Sequence, residues 1–353
     1  MVSMKLQFTW KIVLLPAVGL LAFFLYLYIF NVDIPKIIAT VQRIDVSFYL
    51  LAVAAVILET FFFALSWRSL LSFLSVKLSV RKSFLYIWFG IFIDTVIPAE
   101  SVSGEISRVY LVTREQNEAT GKVVASLVTQ RLMGMGINVV SLFIGATALL
   151  MRHQLGGIVL NLTMFLAVST LIFLVLLLLL CVKERWTLKI IDAVIRFAEY
   201  VTRGRWKLKS VRKEVVKAAK AFYSAMKEFG RAPRTLFTPA FFSVLSWIFS
   251  LAVAYLVFCS IGFPWVHWSV IIVTCSIVAA VKAIPLGVPF EAGLPEITMA
   301  TLYMVLLPEI PLDIRLTICG TATILTRILT VWLRFFIGFA VQQWLGVKAI
   351  TTR

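Results

Sequence analysis

"KAIPLGVPFEAGLPEITM", residues 282–299, places three prolines, two glycines and three charges between two apolar stretches. Proline removes a backbone donor and glycine permits dihedrals closed to other residues, so this segment ends one helix and begins another. What the break means depends on the solvent around it. The chain has 353 residues, 61% hydrophobic and 14% charged, and carries "LTMFLAVSTLIFLVLLLLLCV" (162–182), twenty-one residues without a charge. About twenty apolar residues in a row cross a bilayer as a helix. A soluble domain would show shorter periodic segments and more charge. The expected fold class is an all-α polytopic membrane protein.

The N-terminal apolar run, Ile12 to Phe30, is nineteen residues, longer than a secretory leader's core, and the following "NVDIP" offers no cleavage site. It reads as a retained first span. Cys181, Cys259, Cys275 and Cys319 are scattered without a C-x-x-C pair and read as small buried hydrophobes. The net charge of +17 is concentrated: residues 183–234 hold fifteen Lys/Arg against five acids, a +10 segment. Lys and Arg collect in cytoplasmic loops. Within it, Val211, Val215, Ala218, Phe222, Ala225 and Phe229 recur at helical spacing, and Gly230 and Pro233 close the helix. The reading is an amphipathic helix against anionic lipid, not a nucleic-acid surface.

Charge counting sets the topology. The N-terminal end, residues 68–83 and residues 183–236 are expected inside, and the acidic "PEIPLD" at 308–313 outside. The N- and C-termini are then cytoplasmic, and the single membrane domain, 1–353, belongs in the cell membrane. Full spans are expected at 12–30, 48–67, 122–150, 158–182, 237–262 and 315–342. Two segments are left over, 83–112 and 268–307, each of which must begin and end on one face. That makes each a re-entrant hairpin, whose broken tip is tolerated at depth where protein or water satisfies its backbone.

The hairpins resemble one another. Ile97-Pro98 and Gly104-Glu105-Ile106 in the first answer to Ile284-Pro285 and Gly293-Leu294-Pro295-Glu296-Ile297 in the second. Each precedes a helix of similar opening, "TQRLMGMGINVVSLFIG" (129–145) and "LTRILTVWLRFFIG" (325–338), so Arg131 matches Arg327. The expectation is an inverted repeat, 48–182 and 237–345, with 183–236 between the halves. Paired broken segments of this kind mark transporters whose substrate site lies near the midplane, at the breaks Pro98, Gly104, Pro285, Gly287, Pro289 and Gly293.

Arg131 and Arg327 lie roughly 13–18 Å along their helices from the nearest membrane edge, at about 1.5 Å per residue. An arginine at that depth must face protein or water. Arg131, Gly134, Asn138, Ser141 and Gly145 make one stripe; Gly320, Thr323, Arg327, Thr330, Arg334 and Gly338 make another, each on one helix face. Ser243, Ser246 and Ser250 draw a weaker one. Small residues so spaced allow close helix packing. The alternative is a cavity lining whose guanidinium forks hold a phosphate. Around the breaks stand Glu105, Arg108, Lys282, Glu291 and Glu296, either as ion pairs at the hairpin bases or as a polar gate for a lipid headgroup. Glu59, inside "VILETFFF", and Asp94 are further intramembrane acids that can pair with an arginine.

"IPAESVSGEISRVYL", "TQRL", "IPLGVPFEAGLPEI" and "TRILTVWL" resemble the membrane region of lysylphosphatidylglycerol synthases and the flippase-like proteins built on it, over roughly residues 10–345. The resemblance implies movement of a polar-headed lipid between leaflets and places weight on Pro98, Gly104, Glu105, Arg108, Arg131, Gly293, Glu296 and Arg327. Gln130 stands where the family often has an acid, and the second loop is proline-rich with Phe290-Glu291 inside it. The chain ends eleven residues after Gln342, without room for an aminoacyl-transfer domain, so lysyl-lipid synthesis is not expected.

No phosphate-binding G-x-x-x-x-G-K-[ST] loop occurs, and His153 and His267 are isolated, so neither an ATP motor nor a metal or other cofactor is expected. The expected protein is no enzyme but a transporter of a lipid with a polar, phosphate-bearing headgroup. Its partners are membrane lipids with anionic or glycosylated headgroups, with a lipid-modifying enzyme as a further candidate. The alternatives are an ion-coupled small-solute transporter and a membrane-embedded enzyme using Glu105 or Glu296 as acid/base.

Overall fold

The computed structural model describes residue 39 and residues 41–97, 102–116, 120–151, 157–184, 209–282 and 293–351. No strand occurs among them. Stretches long and apolar enough to cross a bilayer are Val46–Phe73, Thr120–Met151, Thr163–Cys181, Pro233–Ser260 and Leu312–Leu345. The protein is an all-α polytopic membrane protein, and the expected span at 12–30 lies outside the described residues.

In chain order the first half contains α1 (Val46–Phe73), α2 (Val80–Val96), α3 (Val102–Gln116), α4 (Thr120–Met151) and α5 (Gly157–Val182). The basic α6 (Lys209–Arg231) follows. The second half contains α7 (Phe237–Ser260), α8 (Trp268–Lys282), α9 (Leu294–Leu306), α10 (Leu312–Arg327) and α11 (Arg334–Thr351). A π-helical turn, Ile328–Leu333, joins the last two.

The breaks have local causes. Ile97 stands at φ −102° and ψ 113°, the extended conformation forced on a residue before proline, so α2 stops at Val96. The second hairpin resumes at Gly293, whose φ of +102° only glycine adopts freely. Pro295 occupies the first turn of α9, where its missing donor costs nothing. The Glu296 carboxylate accepts the Gly293 N–H at 2.7 Å and caps the helix. The tips at 98–101 and 283–292 lie outside the described residues, and with them Pro98, Pro285, Gly287, Pro289 and Glu291.

Packing in one half recurs in the other. α1 and α7, the opening helices of the halves, form the most extensive pair. They run antiparallel: the Asp45 N–H donates to the Ser260 carbonyl at 2.8 Å, and at the far end the Ser66 and Ser243 hydroxyls meet at 2.8 Å. α4, which carries Arg131, then packs on α8, the first hairpin arm of the opposite half, and α11, which begins at Arg334, packs on α2. The matched glycines make both contacts. A Cβ on Gly145 would stand 2.8 Å from Ile272 and Val273 methyls, and one on Gly338 would stand 2.7 Å from Phe92 Cβ and 2.8 Å from the Trp88 carbonyl.

α6 departs from the expectation of a helix lying against lipid. Its apolar face docks on protein: Ala225 and Phe229 are buried with Trp67, Leu70 and Val123, and Phe229 stacks on Phe73 at 5.3 Å. Gly121 lets the backbone of α4 touch that of α6, since a Cβ there would lie 2.1 Å from the Ala218 carbonyl. The face that remains exposed carries Lys217, Lys220 and Lys227.

Candidate functional site

The matched arginines take matched partners. Arg131 on α4 reaches Glu105 in the first turn of α3, Nη1 to Oε1 at 3.5 Å. Arg327 at the end of α10 reaches Glu296 in the first turn of α9, Nε to Oε1 at 2.6 Å. Each pair ties a long helix to the hairpin arm that begins after a break. At the start of a helix the unpaired N–H groups favour a carboxylate, which explains why both acids stand there.

The two pairs differ in environment. Arg327 and Glu296 have side chains 8% exposed each, whereas Arg131 and Glu105 are 32% and 23% exposed. The difference follows the arms. α9 buries Met299, Ala300, Leu302, Tyr303 and Leu306 in the main core, while α3 buries only Gly104, Arg108 and Val112 and leaves Ile106 and Tyr110 outside.

A third pair joins the halves. Arg334 Nη2 lies 2.5 Å from Glu59 Oε2 on α1, with both side chains mostly covered. Sequence spacing places Arg327 and Arg334 on one helix face; the π turn between them corrects this. Its wider winding turns Arg334 off the Arg327 face, so one guanidinium meets α9 and the other α1. The 129–145 stripe also divides. Ser276 faces both Asn138, which donates to its carbonyl at 3.2 Å, and the Ser141 hydroxyl at 3.3 Å. With Gly145 these residues serve close packing on α8. Ser243 and Ser246 likewise pack on α1, the latter donating to the Glu59 carbonyl at 3.0 Å.

Around the first break, Asp94 accepts from the Ser103 hydroxyl at 2.8 Å and from the Gly104 N–H at 2.6 Å, holding the start of α3 against α2. Gly104 makes that approach feasible: a Cβ would lie 2.4 Å from the Gly90 carbonyl. Arg108 is 7% exposed, sits over the Trp67 ring at 5.6 Å, and leaves Nη1 without a hydrogen-bond partner among the described residues. Lys282 ends α8, at the edge of the second break. Sequence reasoning did not single out Trp67, since an aromatic in an apolar span carries no signal of its own. Gln130, noted as a departure, donates to the Phe63 carbonyl at 2.8 Å and ties α4 to α1.

Among the described residues no group of His, Cys, Asp and Glu has metal-binding geometry, and His267 contacts the Ser269 hydroxyl. What the arrangement can do is exchange partners. A guanidinium that donates to one carboxylate can donate to a phosphate oxygen in its place, and the fork geometry suits either anion.

Comparison with known proteins finds membrane-protein relatives. The family model described as lysylphosphatidylglycerol synthase TM region matches residues 10–338. A curated relative, UPF0104 membrane protein PH1989 of Pyrococcus horikoshii, is 21% identical over 313 residues, covering 86% of this chain and 89% of its own.

Proposed function

We propose, for a chain that belongs to the lysylphosphatidylglycerol synthase transmembrane-region family, the movement of a phosphate-bearing lipid headgroup between leaflets without an ATPase of its own. The observation that carries this reading is the repeated Arg–Glu contact, Arg131–Glu105 and Arg327–Glu296, each placed behind the break of a hairpin. The arms α2, α3, α8 and α9 are 17, 15, 15 and 13 residues long. At about 1.5 Å per residue they reach roughly 20–26 Å, short of the ~30 Å hydrocarbon core. That length supports re-entrant hairpins, and the antiparallel α1–α7 pair supports halves of opposite orientation. A site between such halves, near midplane, is where transporters of this design hold their cargo.

In this reading the protein is a multi-pass transporter in the cell membrane rather than an enzyme, with cytoplasmic termini. The test is mass spectrometry of co-purifying lipids from wild type and an R131Q/R327Q variant that still folds. A headgroup-bearing lipid enriched in the wild type and lost in the variant supports the reading. Identical lipid profiles would mean purely structural arginines.

A specific observation favours a second reading, ion-coupled solute transport: every arginine of the three intramembrane pairs already has a carboxylate. Na⁺ or H⁺ flux in liposomes that depends on Glu296 would put that reading first.

A further inference from the structure

Resting on that reading, we infer that the headgroup phosphate is taken up in the first half alone, by Arg131 exchanging Glu105 for a phosphate oxygen, while Arg327–Glu296 is a permanent strut. The two pairs are equivalent in sequence and in what they connect, yet they differ in every property that governs exchange. At 3.5 Å the Arg131–Glu105 contact is at the outer limit of a hydrogen bond, and both side chains are partly exposed. A pair so placed holds its partners weakly. At 2.6 Å and 8% exposure, Arg327–Glu296 cannot part without leaving a buried charge on each side. Glu296 is also committed through its second oxygen, which accepts the Gly293 N–H and holds the start of α9.

The neighbouring positions repeat the contrast. Three residues after Glu105 stands Arg108, with a guanidinium nitrogen lacking an acceptor among the described residues; three residues after Glu296 stands Met299, buried in the core. The first half therefore brings a second guanidinium on the same arm, and the second half brings a hydrocarbon. α3 buries three of its fifteen residues, whereas α9 buries seven of thirteen and is seated among core residues. The ligand chemistry is a phosphate oxyanion, which a phospholipid headgroup or a free phosphodiester could each present.

The experiment is native mass spectrometry of the full chain in detergent. Dioleoylphosphatidylglycerol is one probe and glycerophosphoglycerol, its soluble counterpart, the other. Removing the competing carboxylate in E105Q should raise retained lipid by roughly fivefold, the value of a partly exposed ion pair. R131Q should lose it, and R131K, which keeps the charge but not the fork, should fall between. E296Q should show no gain. Failure of E296Q to fold while E105Q folds is equally the signature of a strut, and the E105Q and R131Q arms then decide the site. Equal gains in E105Q and E296Q, or unchanged binding in R131Q, would overturn the inference. Soluble glycerophosphoglycerol retained as well as the lipid, with the same variant pattern, would keep exchange at Arg131 and instead remove the lipid from the proposed function.

Discussion

The two matched glutamates should behave differently when neutralised. In E296Q the Arg327 guanidinium stays buried without its counter-charge, a change that costs about 3–5 kcal/mol. In E105Q the partner is a third exposed and already distant, so the loss should stay under about 1 kcal/mol. Thermal denaturation in detergent measures both, and equal losses would contradict the asymmetry of the pairs. Replacing Glu296 and Arg327 together with Leu and Met should recover much of the stability, because the cost lies in the orphaned charge and not in the missing bond.

Helix approach is set by single glycines. In G338A the new Cβ meets the Trp88 carbonyl at 2.8 Å and Phe92 Cβ at 2.7 Å, so a backbone must move and the cost should be about 1–3 kcal/mol. G145A meets side-chain atoms of Ile272 and Val273 rather than backbone and should cost less. Gly134 has open space around its Cβ position, so G134A should be neutral or gain up to about 1 kcal/mol from helix propensity. Melting temperatures in the order G134A, G145A, G338A, from high to low, would support this packing. A leucine at Gly121 should push α6 off α4, seen as faster proteolysis within α6 at unchanged insertion.

Over the whole molecule, orientation is the testable quantity. Cysteines at Ser101 and Val288, one in each tip, should label from opposite sides of the membrane with an impermeant maleimide. The background would lack Cys181, Cys259, Cys275 and Cys319, which carry no disulfide. Labelling of both positions from one side would end the opposed-halves reading. The reciprocal packing of α4 on α8 and α11 on α2 means that neither half closes its own core, so separately expressed halves should insert without forming the α1–α7 pair unless mixed.

The sequence by itself determined the solvent, the long helices and the position of the breaks. These follow from apolar run length and from the backbone chemistry of Pro98, Gly293 and Pro295, which act within a few residues. It also paired Arg131 with Arg327 and Glu105 with Glu296 by order alone. Tertiary structure decided which carboxylate each arginine meets, because the partners lie 26, 31 and 275 residues apart and depend on how each helix is rotated. The π turn at Ile328–Leu333 shows the reason most plainly. Its residues are ordinary helix-compatible ones, so nothing local announces the wider winding that sends Arg334 to Glu59. The docking of α6 was hidden in the same way: amphipathicity marks a face to be covered, and only the packed bundle settles whether lipid or protein covers it.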